Sequence, residues 1–272
     1  GDVYKRQANN GVTDITEIKV GFDGIAMANA KSGPKLELSL KDIYLALAKV
    51  VPADPEGNTV KPNPYKMWNE VNPALPAAPI VVIGPPPTSG TRDAFDGGVM
   101  EKGCELPEEM EDDCVLYRED GRIVEMGEND TLIAQKLNED SQRFGYFGYS
   151  YLKDNGDKLQ PSTVEGVVPS GATIASYEYP MARPLFIYLK ADHIGVIPGI
   201  QEFAQMMVSD NAIGDNGYLT KIGAAPMVPE LVDRVRNITD NLDPMGFDIA
   251  DCANKVHPLK DAGYAFSSGL CK

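Results

Sequence analysis

The stretch that most constrains the fold is residues 80–95, IVVIGPPPTSGTRDAF. Four consecutive β-branched residues read as a short buried strand, and three prolines directly after Gly84 forbid its continuation. Ser89 then stands where a helix N-cap belongs, ahead of RDAFDGGVMEKG. Strand, tight loop and helix N-terminus in so few residues commit this region to an α/β layer.

The loop also carries chemistry. The first turn of a helix leaves unpaired N–H groups and about half a positive charge, a setting that favours anions. Gly90 lets a ligand approach the backbone, Ser89 and Thr91 supply hydroxyls, and Arg92 supplies a planar fork of donors matched to an oxyanion. Residues Ser89, Gly90, Thr91 and Arg92 therefore describe an oxyanion cradle. The plain alternative is an ordinary N-cap with Arg92 as a solvated surface residue. A nucleotide P-loop is excluded, because Gly-x-x-x-x-Gly-Lys-Ser/Thr is absent. A nucleophilic serine is disfavoured: there is no Gly-x-Ser-x-Gly elbow, and the histidines, His193 and His257, lie in turn-like contexts.

Elsewhere short strands and helices alternate. Residues 15–30 read as a buried strand pair or a strand and turn. Residues 38–51 read as a helix with Ser39 as N-cap and Leu40, Ile43, Leu47 and Val50 on one face. Residues 52–79, proline-rich and carrying Trp68, read as an irregular excursion with an anchor. Strands are expected at 123–126, 144–151 and within 176–190. Helices are expected at 129–137, capped by Asn129 or Asp130; at 198–213, with Ile200, Phe203, Ala204 and Met207 inward; and at 229–242. Tyr146, Phe147 and Tyr149 read as core rather than site residues. The glycosylation-like triplets at Asn129 and Asn237 read as chance.

Four cysteines fall as close pairs, Cys104 with Cys114 and Cys252 with Cys271. Their separations suit disulfides better than a metal site, although three connectivities and a fully reduced state remain open. The acidic run 105–113 lacks the alternating ligands and glycine of a calcium loop and reads as a solvated surface loop. With 40 acids against 25 bases, a net charge of -15 and no basic cluster, a nucleic-acid partner is excluded. The longest apolar passage, 73–87, is broken by prolines and cannot cross a bilayer. The charge does not exclude an anionic ligand, since long-range fields are screened within about 8 Å while a buried oxyanion answers to local donors.

The cradle resembles the phosphate loop of the periplasmic phosphate-binding subunits of bacterial phosphate ABC importers. The likeness extends through VGFDGIAMAN, LSLKDIYLAL, Trp68-Asn69 with NPALP, SGTRDAF, GENDTLIAQKL, FGYFGYSYL, YPMARPLFIYLK and GYLTKIGAAPM, in family order. The resemblance implies an α/β, two-lobed, Venus-flytrap fold of type II with phosphate held between lobes. It implies one lobe from residues 8–30 and 184–272 and another from 31–183, with hinges near 29–34 and 179–184. It implies that Ser89, Gly90 and Thr91 bind phosphate, that Arg92 takes the place of a family arginine where this chain has Pro85, and that the chain is no enzyme and needs no cofactor or metal. The implied partners are inorganic phosphate and the importer's permease; the implied state is a periplasmic monomer. The family's first-lobe Gly-Ser-Ser/Thr loop finds no match before Gly11. Residues 1–7, GDVYKRQ, look like a cloning or assembly scar, so the first strands of lobe 1 are expected to be missing and phosphate binding weakened. Other tetrahedral oxyanions, sulfate or molybdate, and a secreted phosphoester hydrolase are the competing readings.

Overall fold

A computed structural model describes residues 12, 14–54, 57, 59–127 and 129–242. They divide into two compact units. One comprises residues up to Asp23, Ile174–Tyr177 and the chain from Ala182 onward; the other comprises Gly24–Thr173 and Glu178–Met181.

The second unit carries the loop. It opens with the later part of β1 (Ile15–Ala30), a single long strand where a strand pair was one expectation. The helix α1 (Leu40–Leu47) begins with the anticipated cap: Ser39 Oγ accepts from the Asp42 amide at 3.0 Å, and the Asp42 carboxylate accepts from the Ser39 amide at 2.9 Å. It stops at Leu47 rather than near Val51, because the Lys49 amide turns to the Leu116 carbonyl and residues from Val50 join a short antiparallel ladder. Trp68 is fully buried and meets the Phe144 ring edge-on at 5.6 Å, the expected anchor of the proline-rich excursion.

The strand β2 (Val82–Gly84) leads to α2 (Gly90–Phe95), which runs on through a π-helical turn (Asp96–Met100) and a last α-turn (Glu101–Gly103). Beyond it come β3 (Ile123–Glu125), α3 (Asp130–Glu139), β4 (Phe144–Gly148), α4 (Tyr149–Asp154) and β5 (Leu159–Pro161). Strand β2 pairs in parallel with both β3 and β4, while β4 and β5 each pair antiparallel with β1. The aromatic run beginning at Phe144 is thus strand only to Gly148. There the Asp130 carboxylate accepts the Gly148 amide at 3.1 Å, and the chain turns into α4. Ala26, Ala28, Ile83, Ile133, Leu137, Phe147 and Leu159 close one core between the sheet and the flanking helices.

In the first unit the early part of β1 runs beside β6 (Ala182–Lys190). The backbones of Phe22 and Ala225 exchange hydrogen bonds of 3.1 and 2.8 Å. Arg183 places Nε and Nη2 on Asp23 Oδ2 at 2.9 and 2.8 Å. Lys19 is wholly buried, with its ammonium 4.9, 5.8 and 5.6 Å from the Phe22, Tyr177 and Phe186 ring centres. That burial lowers its pKa to about 8, against the opposing pull of Glu17. The helix expected over 198–213 is broken at Val208 and Ser209 into α5 (Ile200–Met207) and a further turn, and only Ala204 of α5 is buried; Phe203, expected inward, is half exposed. The last described helix, α6 (Pro229–Asn241), starts on Pro229 as its first residue and ends at Leu242 with a left-handed φ of 55°.

Cys104 and Cys114 form a disulfide. Cys252 and Cys271 lie outside the described residues. No helix is long and apolar enough to cross a membrane among the described residues, and none of their His, Cys, Asp and Glu side chains gather as a metal site.

Candidate functional site

The loop occupies the carboxyl edge of the parallel strands β2 and β3, where open α/β sheets present their ligands. After Gly84 the prolines carry the chain away from the sheet, and a turn closed by the Ser89 amide on the Pro86 carbonyl (3.0 Å) brings it back. Ser89 is extended (φ -81°, ψ 134°) and caps α2: its Oγ accepts from the Thr91 amide at 3.2 Å, and its carbonyl accepts from the Asp93 amide at 3.0 Å. The hydroxyl's own proton remains to be donated elsewhere.

Gly90 is exposed, and a Cβ there would meet no heavy atom within 4 Å. Neither packing nor a left-handed backbone calls for a glycine at this position. Gly84 is the opposite case: a Cβ would fall 2.2 Å from Tyr146 Cε1, so this glycine is required by the ring beside it.

Arg92 is not the solvated residue of the plain alternative. It is 6% exposed, its Nε donates to Asp96 Oδ1 at 3.1 Å, and its guanidinium carbon lies 3.5 Å from the Tyr117 ring centre. Its Nη1 is buried without a hydrogen bond, with Glu125 Oε1 3.6 Å away. The Tyr117 hydroxyl donates to the same Asp96 oxygen. Tyr146, fully buried and stacked on Phe95 at 4.0 Å, completes the surroundings, its hydroxyl lying beside the Arg92 guanidinium. Burial pushes the Asp96 carboxyl up, and the bonds from Tyr117 and Arg92 offset part of that rise. Burial likewise holds the phenols of Tyr117 and Tyr146 protonated, so both act as neutral dipoles.

The four residues singled out in the sequence thus sit together: Ser89, Gly90 and Thr91 on the partly exposed first turn, Arg92 behind them in the interior. Asp96, four residues on along the same helical run, and Tyr117 hold the arginine, and Glu125 stands beside it; Tyr117 and Glu125 carried no signal in the sequence, because the fold brings them in from separate segments. Tyr146 and Phe147 are core residues and Tyr149 is half-buried, while Asn129 caps α3 through the Thr131 amide at 3.1 Å.

The described residues thus form a mixed α/β sheet with the candidate donors on a loop at the carboxyl edge of β2 and β3. The model of the PBP superfamily domain matches residues 3–211, and the chain belongs to that superfamily, with a type II periplasmic-binding-protein fold. The phosphate-binding protein PstS of Staphylococcus saprophyticus is 27% identical over 218 residues, covering 77% of this chain and 58% of the relative. Protein SphX of a Synechocystis species is 26% identical over 244 residues, covering 88% and 64%. A possible phosphate-binding protein from Planctomyces limnophilus has a similar structure, with a TM-score of 0.63 at 22% identity, over 88% of this chain and 76% of that one. A putative phosphate ABC transporter substrate-binding protein from Clostridium perfringens, solved with bound phosphate, gives 0.54 at 22% identity, over 83% and 75%. The chain spans about three fifths of the length of the curated relatives it matches.

Proposed function

We propose that this protein captures inorganic phosphate outside the cytoplasm and delivers it to the permease of an ABC importer. In this reading it acts as a monomeric receptor and not as an enzyme. Ser89 and Thr91 hydroxyls donate to the phosphate oxygens, the start of α2 presents the positive end of its dipole, Gly90 leaves room for the ligand's approach, and Arg92 supplies the positive charge. The two compact units correspond to the two lobes of such a receptor, with the loop on the second. The observation that carries the reading is the pairing of an unobstructed glycine on a capped helix start with a buried arginine bearing an unsatisfied Nη1. The names of the relatives point the same way.

Titration calorimetry with inorganic phosphate, sulfate and molybdate tests it. Saturable 1:1 binding of phosphate, stronger than of either other anion and weakened at least tenfold by Thr91→Val, is expected. Tighter binding of sulfate or molybdate, or phosphate binding indifferent to Thr91→Val, would overturn it.

A further inference from the structure

We infer that the Arg92 guanidinium is shared between two carboxylates with opposite roles: Asp96, backed by Tyr117, positions the arginine, and Glu125 is an internal counter-ion that an arriving oxyanion displaces from Nη1. This rests on the reading of the loop as a phosphate site and adds two residues to it that touch the arginine rather than the ligand.

The two carboxylates hold the arginine differently. Asp96 takes Nε at 3.1 Å, a hydrogen-bond distance, and its side chain is 27% exposed. The oxygen that accepts Nε also accepts the Tyr117 hydroxyl, whose ring packs on the guanidinium face. One edge and one face of the fork are therefore fixed by groups that cannot leave without exposing a buried charge. Glu125 stands 3.6 Å from Nη1, beyond a hydrogen bond, and its side chain is 50% exposed. It rehydrates at little cost when it swings away.

The unsatisfied nitrogen points to a ligand. A buried, permanently charged donor without a hydrogen bond is expensive to keep, and a loose contact to a half-exposed carboxylate compensates for it poorly. A phosphate oxygen at hydrogen-bond distance from Nη1 completes the fork. Location supports this: Glu125 is the register partner of Gly84 at the carboxyl edge of β2 and β3, and the run Pro85 to Ser89 leaves from that edge. Asp96 begins the π-helical turn that continues α2, a local widening of the kind often found at functional sites, so its carboxylate belongs to the same continuous helical run as the loop.

The two roles predict effects of opposite sign on phosphate affinity. Glu125→Gln removes a competing charge and lowers the Kd for inorganic phosphate about threefold to tenfold, whereas Asp96→Asn frees the arginine to close on Glu125 and raises it about tenfold, equivalent to 1.4 kcal/mol. A purely structural role would not tighten binding in one variant and loosen it in the other. The test is calorimetric titration of inorganic phosphate into the unaltered protein, E125Q, D96N and T91V, with urea unfolding of each. Glu125 is half exposed, so E125Q keeps the test decisive even if D96N unfolds. A Kd for E125Q equal to or weaker than that of the unaltered protein overturns the inference. If the unaltered protein and T91V bind phosphate alike, the loop reading falls and this inference falls with it. If T91V weakens binding and E125Q does not tighten it, only this inference falls.

Discussion

Replacing one or the other of the two glycines that bound the loop, Gly84 and Gly90, with alanine should have opposite consequences. At Gly84 the added Cβ lies 2.2, 2.4 and 2.6 Å from Cε1, Cζ and Oη of Tyr146. Ordinary contact begins at 3.4 Å, so the ring would have to retreat by roughly 1 Å in a close-packed interior. It has nowhere to go, being fully buried and stacked on Phe95, itself fully buried. Overpacking of this kind costs about 1–3 kcal/mol, and the absence of slack puts Gly84→Ala at the upper end. At Gly90 the same methyl meets nothing within 4 Å, and alanine in a helical position gains up to about 1 kcal/mol. Gly90→Ala should therefore unfold no earlier than the unaltered protein yet bind phosphate more weakly, because the methyl occupies the ligand's approach. Trp68, the only tryptophan, is buried in the same unit as both glycines, so its fluorescence during urea unfolding reads the unit concerned. In a Tyr146→Ala background the extra cost of Gly84→Ala should vanish. The reasoning fails if G84A lies within about 0.5 kcal/mol of the unaltered protein, or if G90A binds phosphate as tightly.

Three further outcomes follow from particular contacts. Lys19 releases its proton near pH 8 when folded and near 10.5 otherwise; between these values the unfolded chain binds more protons, so stability rises with pH. The rise is about 3 kcal/mol at most, and Lys19→Met should abolish it and raise stability at pH 7, as urea midpoints from pH 7 to 10.5 would show. The Cys104–Cys114 bridge closes a loop of 10 residues' separation, so the double serine variant should lose about 3 kcal/mol on the chain-entropy account, again read from urea unfolding. Ser89→Ala removes the cap of α2 and should cost about 1 kcal/mol in the same assay, while also weakening phosphate binding by calorimetry.

What the sequence revealed was mostly local. The caps at Ser39 and Ser89 and the helix opening on Pro229 are decided within a few residues, and all three were legible; the return bond from Asp42 that completes a capping box at Ser39 came only with the structure. Tertiary pairing decided the rest. The run from Phe144 has strand chemistry throughout, yet Asp130 reaches the Gly148 amide and ends it. Phe203 has the right helical spacing for a core face, but α5 buries only Ala204. Lys19 sits mid-strand among apolar residues, and only the fold brings the rings of Phe22, Tyr177 and Phe186 to it. At the site, the donors of the loop were visible because a helix start advertises itself. Tyr117, which packs on Arg92, and Glu125, its loose counter-ion, were not, since they lie 25 and 33 residues further along the chain.

The central claim is that the Ser89 to Arg92 loop is where phosphate binds, and hydrogen exchange of the backbone amides with and without saturating inorganic phosphate tests it most directly. Slowed exchange concentrated at Gly90, Thr91 and Arg92, reversed on removal of phosphate, is predicted. Unchanged exchange in this loop while phosphate is demonstrably bound would contradict it.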